Sequence, residues 1–163
     1  MRVIDIVDEA GGTFDRIILD FDQRSRRRAV YHTVSGTEII LDQARPRYLR
    51  GGQAFVLEDG VRVLIEAKAE ELVAISCPDV TTLVRIAWHL GNRHLPTQII
   101  PHEGAGELRI RADHVIEALA AGLGGSCHRL EAPFDPERGA YDTARSDHYH
   151  HDHHHGDHGH GHE

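Results

Sequence analysis

The sequence predicts an α+β protein: a small antiparallel β domain, a following β-α-β-β-α-β domain, and a disordered His-rich tail. Three observations predict it. Up to about residue 70 the apolar runs are short and break at glycine or polar turns. Beyond residue 70, two stretches of helical period alternate with strand-like runs. The last seventeen residues, Asp147 to Glu163, hold nine of the fifteen histidines and no packable apolar pattern. The 163 residues are 40% hydrophobic, which is enough for one ordinary domain or two small ones.

In the first part, Arg2 to Val7 alternates around Val3 and Val7 and reads as a strand. Gly11-Gly12 marks a turn. Arg16 to Phe21 is an Ile- and Leu-rich run, and Asp22-Gln23-Arg24-Ser25 reads as a turn. Arg28 to Val34 alternates again, and Ser35-Gly36 turns the chain into Glu38 to Leu41. Gly51-Gly52 precedes Gln53 to Leu57, and Asp59-Gly60 leads into Val61 to Ile65. This last pair is a strong hairpin signal. Residues 1–70 are thus expected to form the N-terminal β domain, with partner or peptide binding as its candidate role. The basic run Arg24, Arg26, Arg27, Arg28 can be a docking patch, but a solvated turn and strand edge is the simpler reading.

The second domain is expected over 71–143. Leu72 to Cys77 reads as a strand that Pro78 stops. Asp79 can cap a helix in which Val80, Leu83, Val84, Ala87 and Trp88 recur at helical spacing. Gly91-Asn92 suits its C-terminus. Thr97 to Ile100 and Glu107 to Arg111 are strand candidates around a turn at Gly104 to Gly106. Asp113 starts a second helix, with Val115, Ile116, Leu119 and Ala120 on one face and Gly122 to Gly125 at its end. Cys127 to Ala132 is the final strand. The order is the split βαβ arrangement. Residues 144–163 form the tail.

Several function classes are excluded at this stage. No apolar stretch approaches the length of a spanning helix. The N-terminus has acids by position 5 and no cleavage-like segment, so a signal peptide is not expected. Two cysteines, Cys77 and Cys127, are no disulfide framework and suit a reducing cytoplasm. The formal charge of -8 argues against a nucleic-acid partner. Neither a phosphate loop nor a nucleophile elbow is present, so no enzyme is expected. Cys77, at a strand end before Pro78, reads as a buried inert thiol before it reads as a ligand.

Metal is the chemistry that the tail announces. His148, His150, His151, His153, His154, His155, His158, His160 and His162 are imidazole donors for Zn, Cu, Fe or Ni. Interspersed Asp and Gly add carboxylates and backbone freedom. The longest uninterrupted run is three histidines, unlike a purification tag. Chelation near neutral pH follows; tight or selective chelation does not, because binding must order the chain. Six histidines lie in the body: His32, His89, His94, His102, His114 and His128. Of these, His94 has the lead, because a loop between Gly91 and Pro96 can present it outward.

The string His89-Leu90-Gly91-Asn92-Arg93-His94-Leu95-Pro96-Thr97-Gln98-Ile99 resembles the signature of the urease accessory protein E family, the nickel metallochaperones. Asp113-His114-Val115 and Ala132-Pro133-Phe134-Asp135-Pro136-Glu137 with Gly139-Ala140-Tyr141 are similar to further segments of that family. The resemblance implies an N-terminal β domain likened to a peptide-binding module. It implies a ferredoxin-like C-terminal domain that binds metal and forms a homodimer. Two copies of His94 would face each other and share one Ni(II), with tail histidines as further ligands and Zn(II) or Cu(II) as competing ions. His114 matches a histidine credited with a peripheral site, although Ala112 stands where some members have another histidine. His89 is the structural histidine of the motif. The implied function is delivery of Ni(II) to apo-urease in the cytoplasm, with urease and its accessory proteins, including the GTPase, as partners. Neither nucleic acid nor a membrane is expected as a partner. A general nickel, zinc or copper store is the competing reading.

Overall fold

Strand β1 (Val3–Val7) is followed by β2 (Asp15–Leu19), the short helix α1 (Phe21–Arg24), β3 (Arg28–His32), β4 (Glu38–Asp42), β5 (Ala54–Leu57) and β6 (Arg62–Ala67). The structure is a computed structural model that describes residues 1–137 apart from 10, 13, 46 and 102–104. β1, β5, β6 and β2 form one sheet in that order, and β3 pairs with β4. The Arg2–Ile40 bridge ties the two together. Alternation sets the core: Ile17 and Leu19 of β2 point inward with Tyr31, Ile39, Leu41, Phe55, Val63 and Ile65, whereas Ile18 between them is exposed. The expected β5–β6 hairpin forms through Asp59-Gly60, with Gly60 at φ 83°.

Two expectations for this half are corrected. The sheet is not wholly antiparallel, because β2 pairs with β6 in parallel. A long excursion through α1, β3, β4 and β5 separates the two strands, so no hairpin turn dictates their direction. Asp22 to Ser25 is not a simple turn either. Asp20 accepts from the Gln23 amide at 2.7 Å, and the Gln23 side chain accepts from the Asp20 amide at 2.9 Å. This capping box winds the segment into α1.

The second half contains β7 (Ala69–Ser76), α2 (Val80–Asn92), β8 (Gln98–Ile100), β9 (Glu107–Arg111), α3 (His114–Gly122) and β10 (Ser126–Pro133). Its sheet runs β10-β7-β9-β8, antiparallel throughout. Val73, Ile75, Leu108 and Ile110 of the sheet pack with Ile86 and Leu90 of α2 and Ile116 and Ala120 of α3. Asp79 caps α2 by accepting from the Thr82 amide at 2.8 Å. Asp113 caps α3 through the amides of Val115 and Ile116. Only Lys68 separates β6 from β7, so residue 70 falls inside a strand. No helix among the described residues is long and apolar enough to cross a membrane.

The apolar face of α2 differs from expectation. Leu83 and Ala87 lie at the margin of the core. Val80, Val84 and Trp88 stand 57%, 59% and 63% exposed. Ile86 and Leu90, from the neighbouring row, are the buried pair. Val115 of α3, also expected on the inner face, is exposed. Helical period selects rows of side chains; the sheet decides which row is covered.

Candidate metal centre

His94 owes its position to the way α2 ends. The last helical residues are Gly91 and Asn92, and Arg93 is the C-cap. The His94 amide donates to the Gly91 carbonyl at 2.9 Å, and the Leu95 amide reaches back to the Leu90 carbonyl at 3.2 Å. These two bonds are the Schellman pattern, in which the residue after the cap is left-handed. Glycine usually fills that place; here it is His94, at φ 54°. A left-handed side-chain-bearing residue costs about 1 kcal/mol. Leu95 packs onto the cluster that contains Leu90, and Pro96 prevents the helix from resuming. The turn therefore leaves the His94 imidazole exposed.

His94 stands on the rim of a groove of about 590 Å³ between the two halves, lined among others by Phe21, Tyr48, Leu95, Pro96 and Glu137. The segment after β10 forms part of its wall. The Asp135 amide donates to the Gln98 side chain at 3.2 Å, and the Glu137 amide donates to the Thr97 carbonyl at 2.8 Å. The last described residue, Glu137, is thus held at a position three residues along the chain from His94. The tail ligands expected from sequence, His148, His150, His151, His153, His154, His155, His158, His160 and His162, lie outside the described residues. So does His102.

His114 is the first residue of α3 and is exposed. Its neighbour Asp113 is already committed to the helix cap. His89 is half-buried, its ring 5.0 Å from that of Trp88 and nearly perpendicular to it. Among the described residues no group of three or more His, Cys, Asp or Glu side chains stands together as a metal site. His94 and His114 are therefore placed outward without protein ligands gathered round them. Burial pushes the Cys77 thiol above its ordinary value, with Asp79 and Cys127 adding to the effect. Burial also raises the Cys127 thiol, with Glu117 adding to the effect.

Sequence reasoning missed a cluster beside the groove. Arg24, expected in a solvated basic run, is fully buried; Arg26, Arg27 and Arg28 of that run are exposed. Its guanidinium lies 5.2 Å from the Tyr48 ring centre, and the Phe21 ring lies 5.2 Å from that of Phe134. Burial pushes the Tyr48 hydroxyl up to about 12. The capping box at Asp20 and Gln23 was the one local signal that this segment is structured.

The chain matches the models of the UreE urease accessory protein, N-terminal domain over residues 3–68 and C-terminal domain over residues 70–162. It is 55% identical over 127 residues to the urease accessory protein UreE of Bradyrhizobium sp. strain BTAi1, covering 78% of this chain and 60% of that protein. It is 53% identical over 136 residues to the UreE of Bradyrhizobium sp. strain ORS 278, covering 83% and 62%. The UreE of Rhodopseudomonas palustris strain BisB18 is 53% identical over 137 residues, covering 83% and 63%. The chain thus spans about six-tenths of the length of these relatives. With both models matched along successive parts of the sequence, the chain belongs to the UreE urease accessory protein family.

Proposed function

We propose that this chain is a nickel metallochaperone that carries Ni(II) to apo-urease during assembly of the urease active site, and that it is a carrier and not an enzyme. The supporting observation is that His94 and Glu137, the last described residue before the tail, line one groove, with Glu137 bonded to Thr97. One outward imidazole is a weak ligand. Two copies related by a two-fold axis give a preorganised pair without further folding cost. The exposed row Val80, Val84 and Trp88 on α2 gives a second copy an apolar surface to cover. The second half, 71–143, is then the ferredoxin-like metal-binding and dimerisation domain. The β domain, 1–70, is left for urease, the GTPase and the other accessory proteins in the cytoplasm.

The tail, 144–163, supplies the remaining ligands. His148 is eleven residues beyond Glu137, a path of at most about 40 Å. Imidazoles from His148, His150, His151, His153, His154, His155, His158, His160 and His162 can occupy open positions of the nickel ion one at a time. Stepwise exchange lets cargo leave for a partner, whereas a closed rigid cage would retain it. His114 offers a second, weaker position at the start of α3. Imidazole sites bind Cu(II) more tightly than Ni(II) and Zn(II) comparably, so both compete for the site. Family membership is what favours nickel as cargo.

Equilibrium dialysis tests this reading. The full chain should hold one tight Ni(II) per dimer. Replacing the tail histidines should lower the number of ions bound but leave that site, whereas His94→Ala should remove it. Tight binding lost with the tail and indifferent to His94→Ala would overturn the interfacial site. A store without delivery would fail to load apo-urease under limiting nickel.

A further inference from the structure

Cys77 and Cys127 are two free thiols that the nickel reading leaves unused. Strand β10 pairs with β7 so that Ser126 stands opposite Ser76 and Cys127 opposite Ile75. Cys77 follows Ser76, so it lies diagonally across from Cys127. The two-residue period of a strand puts both on one face of the sheet. That face is the one the helices cover: both side chains pack, half-buried, against the cluster that contains Ile75, Ile86 and Ala120. The Cys127 thiol also reaches the Glu117 carbonyl of α3 at 3.7 Å.

The spacing decides what the pair can do. Diagonal neighbours on adjacent strands lie about 7–8 Å apart at Cα. A disulfide needs less than about 7 Å there and an S–S bond of about 2.05 Å, so the pair is too wide for one without backbone movement. Two metal–thiolate bonds of about 2.3 Å span about 4.6 Å between the sulfurs, which fits the wider pair. Zinc requires four ligands, and among the described residues no third His, Cys, Asp or Glu side chain joins the two thiols. Two thiolates in a partly water-excluded place suit a soft cation that accepts low coordination. We propose that Cys77 and Cys127 form a second metal site, a two-thiolate site for monovalent copper. Both thiols release their protons to solvent, two Cu–S bonds form, and no electron is transferred. Burial raises both thiols, so only a metal with a strong preference for thiolate displaces those protons. Arg129 is bonded to Glu117 at 3.0 Å and offsets that carboxylate's charge. Cys77 precedes α2 and His94 follows it, so thirteen helical residues, about 20 Å, separate the thiols from His94. The site does not depend on the nickel reading. Reduced copper goes to the thiols, and His94 is left to divalent ions.

Anaerobic Cu(I) titration of the full chain against a chromophoric Cu(I) chelator tests this, with the nine tail histidines replaced by Asn so that they do not contribute. The protein should hold one Cu(I) per chain. Cys77→Ser and Cys127→Ser should each weaken binding at least about a hundredfold. Binding that survives either serine substitution, or that saturates at half an ion per chain, overturns the proposal. Copper-edge X-ray absorption of the native chain with one equivalent of Cu(I) needs no variant to fold. Two sulfur neighbours and no nitrogen are expected; a single sulfur or a nitrogen shell overturns the site.

Discussion

On the proposed reading, His94 serves the metal at the expense of the fold. Its place in the helix stop is the one that glycine fills at least cost. His94→Gly should therefore raise stability by about 1 kcal/mol while abolishing the interfacial nickel site. Urea denaturation and nickel dialysis on the same preparation check both halves of the statement. A variant that loses nickel and is also less stable would show that the imidazole makes favourable contacts of its own. The left-handed backbone was not legible in the sequence, because Gly91 three residues earlier looked like the helix stop. The stop is decided by which carbonyls the next amides reach, and Leu95 reaches back to Leu90.

At the scale of elements, α2 is held by its cap and by one buried row. The Thr82 amide and hydroxyl hold the Asp79 carboxyl below its ordinary value of 3.8. A carboxyl lowered on folding contributes stability that is complete above its unfolded value and is lost as pH falls through the folded one. Asp79→Asn keeps a capping side chain but does not titrate. It should flatten the acid limb of stability between about pH 5 and pH 2, read by urea melts across that range. An acid limb identical to that of the native chain would remove Asp79 from the account. Asp79 was readable as a cap because capping is a contact over three residues. The buried row Ile86 and Leu90 was not, since α2 carries apolar residues on two adjacent faces and only the sheet distinguishes them.

At the scale of the whole molecule, the row left outside that core has a consequence for assembly. Trp88 is 63% exposed, so Trp88→Glu should leave the monomer fold intact. With the proposed dimer formed through this face, the substitution should halve the mass seen by light scattering and weaken the proposed nickel binding, because a charge on each copy opposes burial of the face. A dimer that persists in Trp88→Glu would place the two-fold contact elsewhere. The two halves of one chain are also coupled. Arg24 and Tyr48 from the first half contact Phe134 after β10, and Arg111 of β9 reaches Asp22 of α1 at 2.9 Å.

The sequence by itself determined the order of the ten strands and the two long helices, the caps at Asp79 and Asp113, the hairpin at Asp59-Gly60 and the family. These depend on contacts within a few residues or on a string of residue types. Tertiary structure alone decided the parallel pairing of β2 with β6, the exposed face of α2 and the burial of Arg24. Each of those depends on residues far apart in the chain. Arg24 and Phe134 are 110 positions apart, and no local pattern reports that a guanidinium at one will meet a carbonyl at the other.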